Sequence, residues 1–145
     1  MYKLAKVKIL LILSLLASSY AFGMKNTNAS YDPCSRVEGT WVGSSDIRFV
    51  MLSCSYNSTI DVFEENNPHR VVISSQKTSG SFLCPKTIVQ KSSGSCVDGR
   101  LVVYDDKIDL VGDLSDDGRS AILSGYIKVL FKHVPLNIAI TKVGY

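Results

Sequence analysis

Apolar and polar residues alternate with a period of two over much of the second half of the chain. From Ser120 to Val134, Ala121, Leu123, Gly125, Ile127, Val129 and Phe131 fall on one side of an extended backbone. Ile122, Ser124, Tyr126, Lys128, Leu130 and Lys132 fall on the other. An almost wholly apolar face opposite a mixed face is the pattern of a half-buried strand. The segment is long for one strand, and Gly125 is the expected place for a bend. Lys107–Asp113 alternates as cleanly, with Ile108, Leu110 and Gly112 on one face. Between these two segments lies Asp117-Gly118, a dipeptide that predicts a hairpin when alternating strands flank it. Arg100–Tyr104 is placed to pair with Lys107–Asp113 through a turn at Asp105-Asp106. Pro135 is expected to end the long strand, and Leu136–Val143, with Ile138 and Ile140 on one face, supplies the last one.

The first half is less regular. Gly39–Gly43, Ile47–Cys54, Ser58–Phe63, Arg70–Ser75 and Ser81–Val89 read as strands separated by Ser, Asn, Gly and Pro clusters. Ser79–Ser81 and Ser92–Ser95 read as loops or turn flanks. Asp32-Pro33 is suited to start a single helical turn, with Asp as N-cap and Pro at the first position. After Val37 no segment keeps apolar residues at helical spacing over three turns. Eight or nine short strands with short connections predict an all-β fold, a small antiparallel up-and-down barrel of about eight strands. A two-sheet β-sandwich is the alternative.

The N-terminus changes how the composition is read. Lys3, Lys6 and Lys8 precede an unbroken apolar run, Ile9–Leu16, and small residues follow as far as Ser19-Tyr20-Ala21. That is the layout of a secretory signal peptide over residues 1–21, with Phe22 the expected mature N-terminus. The run is shorter than the roughly 20 residues that a spanning helix needs. An irregular segment, 22–37, is then followed by a single β domain, 38–145. With the leader go three lysines, so thirteen Lys and Arg balance thirteen Asp and Glu, and the formal charge of +3 falls to zero. Without a net positive field, nucleic acid is not an expected partner, and no membrane association is expected after cleavage. The predicted location is periplasmic or secreted.

Cys34, Cys54, Cys84 and Cys96 are the four cysteines, an even number in a chain expected to be exported, and they predict two disulfides. Three pairings are possible. Joining sequence neighbours, Cys34–Cys54 and Cys84–Cys96, is favoured because neighbours can be bridged across short strand connections. CxxC spacing and Cys/His clustering are missing, which speaks against a metal site at these cysteines.

Other candidate chemistry is sparse. Asp113-x-Ser115-x-Asp117-Gly118 matches half of a calcium loop, but the position for the bidentate carboxylate is Ser124, and the hairpin explains the same residues. His69 and His133 have no nucleophile or ligand at a useful spacing, and His133 is expected at a barrel rim. Glu64-Glu65, Asp105-Asp106 and Asp116-Asp117 fall in predicted turns. Asn28-Ala29-Ser30 and Asn57-Ser58-Thr59 fit the N-glycosylation pattern. No catalytic residue, metal ligand or cofactor is assigned, and the chain is not expected to be an enzyme.

Gly39-Thr40-Trp41 holds the only tryptophan and opens the first strand after the short helical turn. In this feature, in length and in strand count the chain resembles the lipocalin and avidin group of small barrels. The resemblance implies that Trp41 packs at the closed end of a barrel. In lipocalins an arginine of the last strand packs against it, and here Lys142 is the only basic residue in Leu136–Val143. The implied function is carriage of a small apolar molecule. Trp41, Leu110, Leu123, Ile127 and Phe131 are its candidate contacts, although the mostly large inward side chains argue against a spacious cavity. The second reading is a secreted protein-binding module or enzyme inhibitor that takes an extracytoplasmic protein as partner. Its candidate loops are Glu64–His69 and Ser92–Gly99, with Tyr56 as an aromatic near a turn. A cavity-lined interior would favour the carrier, and an apolar or aromatic loop tip the inhibitor.

Overall fold

A computed structural model describes residues 31–65, 68–129 and 131–144. The expected leader lies outside the described residues, as does the acceptor pattern at Asn28.

Eight antiparallel strands close into one barrel in simple up-and-down order, each pairing with the next and β8 with β1. They are β1 (Gly39–Phe49), β2 (Leu52–Phe63), β3 (His69–Gly80), β4 (Thr87–Val97), β5 (Arg100–Tyr104), β6 (Ile108–Leu114), β7 (Ser120–Val129) and β8 (Lys132–Val143). The barrel replaces the sandwich alternative, and the period-two faces explain it. Ala121 and Leu123 on β7, Ile108, Leu110 and Leu114 on β6, and Val134, Leu136, Ile138 and Ile140 on β8 are all buried. The residues between them on β7 and β8, from Ser120 to Lys128 and from Lys132 to Thr141, point to solvent.

Five expected strand limits need correction, the first being Ser81–Val89, of which residues 81–86 form the β3–β4 loop and only Thr87–Val89 belong to a strand. Val129 pairs with Lys132, so the long segment to Val134 is not one strand but a hairpin. Pro135 does not end a strand: it sits in β8 opposite Tyr126. It lies beyond Ile138, the last β8 residue paired with β1, where an absent N–H leaves no ladder bond unmade. Gly39–Gly43 and Ile47–Phe49 are one strand, and the chain turns at Val50-Met51. Ser92–Ser95 is no loop but the middle of β4, paired with β3 and β5. The turn there is Asp98-Gly99, with φ of 51° and 79°, the double positive-φ geometry that suits Asp-Gly in a two-residue hairpin. Gly125 is opposite Leu110, and a Cβ there would lie 1.9 Å from the Asp109 carbonyl oxygen. Glycine at this position permits close approach of two backbones.

The 3-10 turn at Pro33–Arg36 forms as expected, with the Asp32 carboxylate accepting from the Cys34 N–H at 2.9 Å. It leads into Val37, which is buried beneath the start of β1. The disulfides are Cys34–Cys96 and Cys54–Cys84, not the pairing of sequence neighbours. Barrel closure is the reason. The N-terminal turn lies beside the end of β4, and the start of β2 lies beside the β3–β4 loop, because β2 pairs along all of β3 as far as Cys54 opposite Gly80. Disulfides of this kind form and persist in oxidising, extracytoplasmic compartments. Among the described residues no helix is long and apolar enough to cross a membrane.

Candidate functional site

The up-and-down order gives the barrel two unlike ends. The 3-10 turn and the β2–β3, β4–β5 and β6–β7 connections share one end with Trp41. The β1–β2, β3–β4, β5–β6 and β7–β8 connections share the other.

Trp41 closes the first end. Its side chain is 1 % exposed, and its indole N–H donates to the Val37 carbonyl at 2.8 Å. Lys142 pairs with it across the β1–β8 ladder. The Lys142 ammonium stands 5.8 Å from the ring centroid and donates to the Arg36 carbonyl. Partial burial, followed by the charge of Arg36, holds the Lys142 pKa below its ordinary value. A small void of about 30 Å³ next to Trp41 is bounded by Val37, Val71, Leu101 and His69. His69 Nδ1 is buried there without a hydrogen-bond partner among the described residues.

The other half of the barrel encloses a cavity of about 490 Å³. That falls within the range of small-molecule sites, about 300–1,000 Å³. Ile60, Ile73, Leu110, Leu123, Leu136 and Ile138 form most of its wall. The large inward side chains that argue against a spacious cavity therefore do not fill this half. The room comes from the first-half strands, where Ser45, Ser58 and Ser75 take inward positions that the second half gives to Leu and Ile. Ser45 and Ser58 are buried, and the Ser58 and Ser75 hydroxyls are 2.7 Å apart. These two paired hydroxyls keep further hydrogen-bonding capacity in a largely apolar wall. Lys107 and Lys128 stand at its margin.

Of the residues expected to contact a ligand, Leu110, Leu123 and Ile127 line this cavity. Trp41 does not: it lines the small void at the opposite end. Phe131 is corrected outright. The β7–β8 turn reverses the alternation before it is reached, and its side chain is 92 % exposed. Tyr56 is no exposed loop aromatic either. It is 3 % exposed, lines the cavity beside the Cys54–Cys84 bridge, and donates its hydroxyl to the Pro85 carbonyl at 3.1 Å. Burial raises its pKa above the ordinary phenol value.

Asp105 organises the β5–β6 turn at the cavity end. Its carboxylate accepts from Ser92 Oγ (2.5 Å), Gln90 Nε2 (2.8 Å) and the backbone N–H groups of Lys107 (2.5 Å) and Ile108 (3.0 Å). Burial pushes its pKa up, but these hydrogen bonds together outweigh that and leave it below the usual carboxylate value. Ser92 and Gln90 reach it because β4 runs through the stretch expected to be a loop. The two histidines lie at opposite ends: His133 is the second residue of β8, where its ring packs tilted against Tyr126 with centroids 4.4 Å apart. In the Ser115–Ser120 hairpin, Ser115 Oγ donates to Asp117 at 2.6 Å, and the Arg119 N–H donates to Asp117 at 3.0 Å. The polar atoms of the half calcium motif thus close the turn.

A larger depression, about 700 Å³, lies on the outer face of β8, β1, β2, β3 and β4. Ser44, Asn57, Thr59, Ser74, Gln76 and Thr87 supply its polar wall, which holds no titratable side chain. The interior cavity is smaller, yet it has the apolar enclosure and the few convergent polar groups that a ligand site needs. No protein-family model and no curated protein matches this chain.

Proposed function

We propose that residues 1–21 export the chain and that the mature barrel carries a small apolar molecule in its interior cavity. The observation that carries this reading is the 490 Å³ space walled by Ile60, Ile73, Leu110, Leu123, Leu136 and Ile138, with the Ser58–Ser75 pair as its polar contact. The ligand class that fits is a compact hydrocarbon body with one hydrogen-bonding group. The resemblance to lipocalins is supported by the eight-stranded up-and-down barrel, the short helical turn before β1, and Trp41 at the end remote from the cavity under a cation of the last strand. Lys142, in place of the arginine of those proteins, is a departure from the lipocalin pattern, and it is the last-strand cation beside Trp41. A protein-binding module would account for exposed apolar turn residues, but it would leave the cavity without a role.

The test is titration of the oxidised mature protein with an environment-sensitive fluorescent apolar probe. Ser45→Phe and Leu136→Phe each project added volume into the cavity and are expected to weaken probe binding by about tenfold or more, given the area each removes from the site. Saturable binding that neither folded variant weakens would place the probe elsewhere and contradict the reading.

A further inference from the structure

Five large apolar side chains stand exposed at the cavity end. Val50 (82 %) and Met51 (92 %) form the β1–β2 turn, Phe82 (88 %) and Leu83 lie in the β3–β4 loop, and Phe131 lies in the β7–β8 turn. Single exposed hydrophobics are ordinary on protein surfaces. Val89, Ile122 and Val97 are exposed on strands elsewhere, but among the described residues the four most exposed large apolar side chains, Val50, Met51, Phe82 and Phe131, all come from three of the four connections at this end.

The backbone supplies an independent observation. Val50 has φ of 53° and Phe131 has φ of 67°. In this left-handed region glycine or asparagine is accommodated best, and a β-branched or bulky residue worst. A turn shaped by stability alone would carry Gly or Asn at both positions. Strain retained at two turns that both present apolar groups to water points to a use for those groups.

Charge points to the kind of partner. The mature chain is neutral overall, but its two ends are not alike. In the cavity half of the strands and their turns, Lys and Arg outnumber Asp and Glu six to four; in the Trp41 half, Asp and Glu outnumber Lys and Arg nine to five, with Lys91 at mid-strand. Arg48, Lys86, Lys107, Lys128 and Lys132 are all exposed among or beside the apolar tips. Lysine is depleted from the cores of protein–protein interfaces. Beside apolar tips it suits a lipid surface, where the stem lies along the apolar layer and the ammonium reaches phosphate.

We propose that the cavity end docks on an anionic lipid bilayer. Val50, Met51, Phe82, Leu83 and Phe131 enter the boundary between headgroups and acyl chains, and the surrounding cations meet lipid phosphates. The purpose of docking rests on the carrier reading: with its cavity end against the bilayer, the barrel exchanges an apolar ligand without exposing it to water. The docking itself stands on the tips and their charges.

Flotation of the oxidised mature protein with vesicles tests it, using phosphatidylcholine alone and phosphatidylcholine mixed with phosphatidylglycerol. The protein is expected to float with the anionic vesicles, to bind the neutral ones less, and to be released by salt. The V50G/F131G double variant is expected to lose about tenfold or more in vesicle-bound fraction, as apolar burial is removed, while its melting temperature rises. K86E/K132E is expected to lose binding with every apolar tip intact. A wild-type protein that stays in the aqueous fraction with both vesicles would overturn the proposal, whether its tips then proved to pair two copies or to hold another protein. So would variants that float as well as the wild type. Probe binding in solution, measured on the same variants, separates the two readings. Retained probe binding with lost flotation supports docking, whereas a wild type that floats and binds no probe keeps docking and contradicts the carrier.

Discussion

Trp41 combines nearly complete burial with a hydrogen bond to Val37, so a change to phenylalanine keeps a ring and loses the bond. Trp41→Phe is expected to cost about 1–3 kcal/mol, because the Val37 carbonyl is left buried without its donor. Trp41→Ala adds a cavity and is expected to cost about 3–5 kcal/mol. Chemical denaturation measures both. Neither change is expected to abolish probe binding in a protein that still folds, since Trp41 lies outside the larger cavity. Val50 and Phe131 predict the opposite sign. Glycine relieves a left-handed backbone at each and loosens the unfolded chain, for a net gain of roughly 0.5–1 kcal/mol per site. Unchanged or lower stability in both glycine variants would remove the strain argument.

At the level of elements, Asp105 closes the β5–β6 turn with two backbone hydrogen bonds and ties it to β4 with two side-chain ones, and that gives the fold an acid limb. Its folded pKa is below the unfolded value, so at acidic pH the folded state binds fewer protons than the unfolded chain. The stabilisation is fully present above the unfolded carboxylate pKa of about 4 and is lost as pH drops through the lower folded value. Asp105→Asn is expected to lower stability at neutral pH and to flatten this limb, read as denaturation midpoints across a pH series. An equally steep limb in the variant would assign the acid sensitivity to another group. The disulfides act on longer stretches of chain. Cys34–Cys96 closes 62 residues and Cys54–Cys84 closes 30 within them. Chain entropy assigns each roughly 3.5–4.5 kcal/mol alone, and less together because the loops are nested. The C34S/C96S variant is expected to lose a large part of its stability, and peptide mapping of the oxidised protein is expected to return the nested pairs. The second-half strands were legible in the sequence because alternation is strict and Asp-Gly marks the β6–β7 turn. Two limits were illegible for one shared reason: the β1–β2 turn at Val50-Met51 and the β7–β8 turn at Phe131 use apolar residues where turn chemistry favours Gly or Asn. The disulfide pairing was hidden because barrel closure, not sequence distance, brings those cysteines together.

For the whole molecule, the division of the barrel into a plugged end and a hollow end follows from which residues face inward. Trp41, Val37, Val71 and Leu101 fill one half. Ser45, Ser58 and Ser75 leave space in the other, and the cavity was illegible because serine on an alternating strand reads as an outward residue. Leu110, Leu123 and Ile127 were recognisable as inward-facing. Which half was hollow required the register of all eight strands. The measurement that bears most directly on this account is native mass spectrometry of the mature protein, purified oxidised from its exported form. The carrier reading predicts a single-stoichiometry small-molecule adduct that denaturation removes and that Ser45→Phe prevents, on a chain beginning at Phe22. A folded, exported protein that is free of adduct, and that takes up no apolar probe under conditions where a known carrier does, would contradict it.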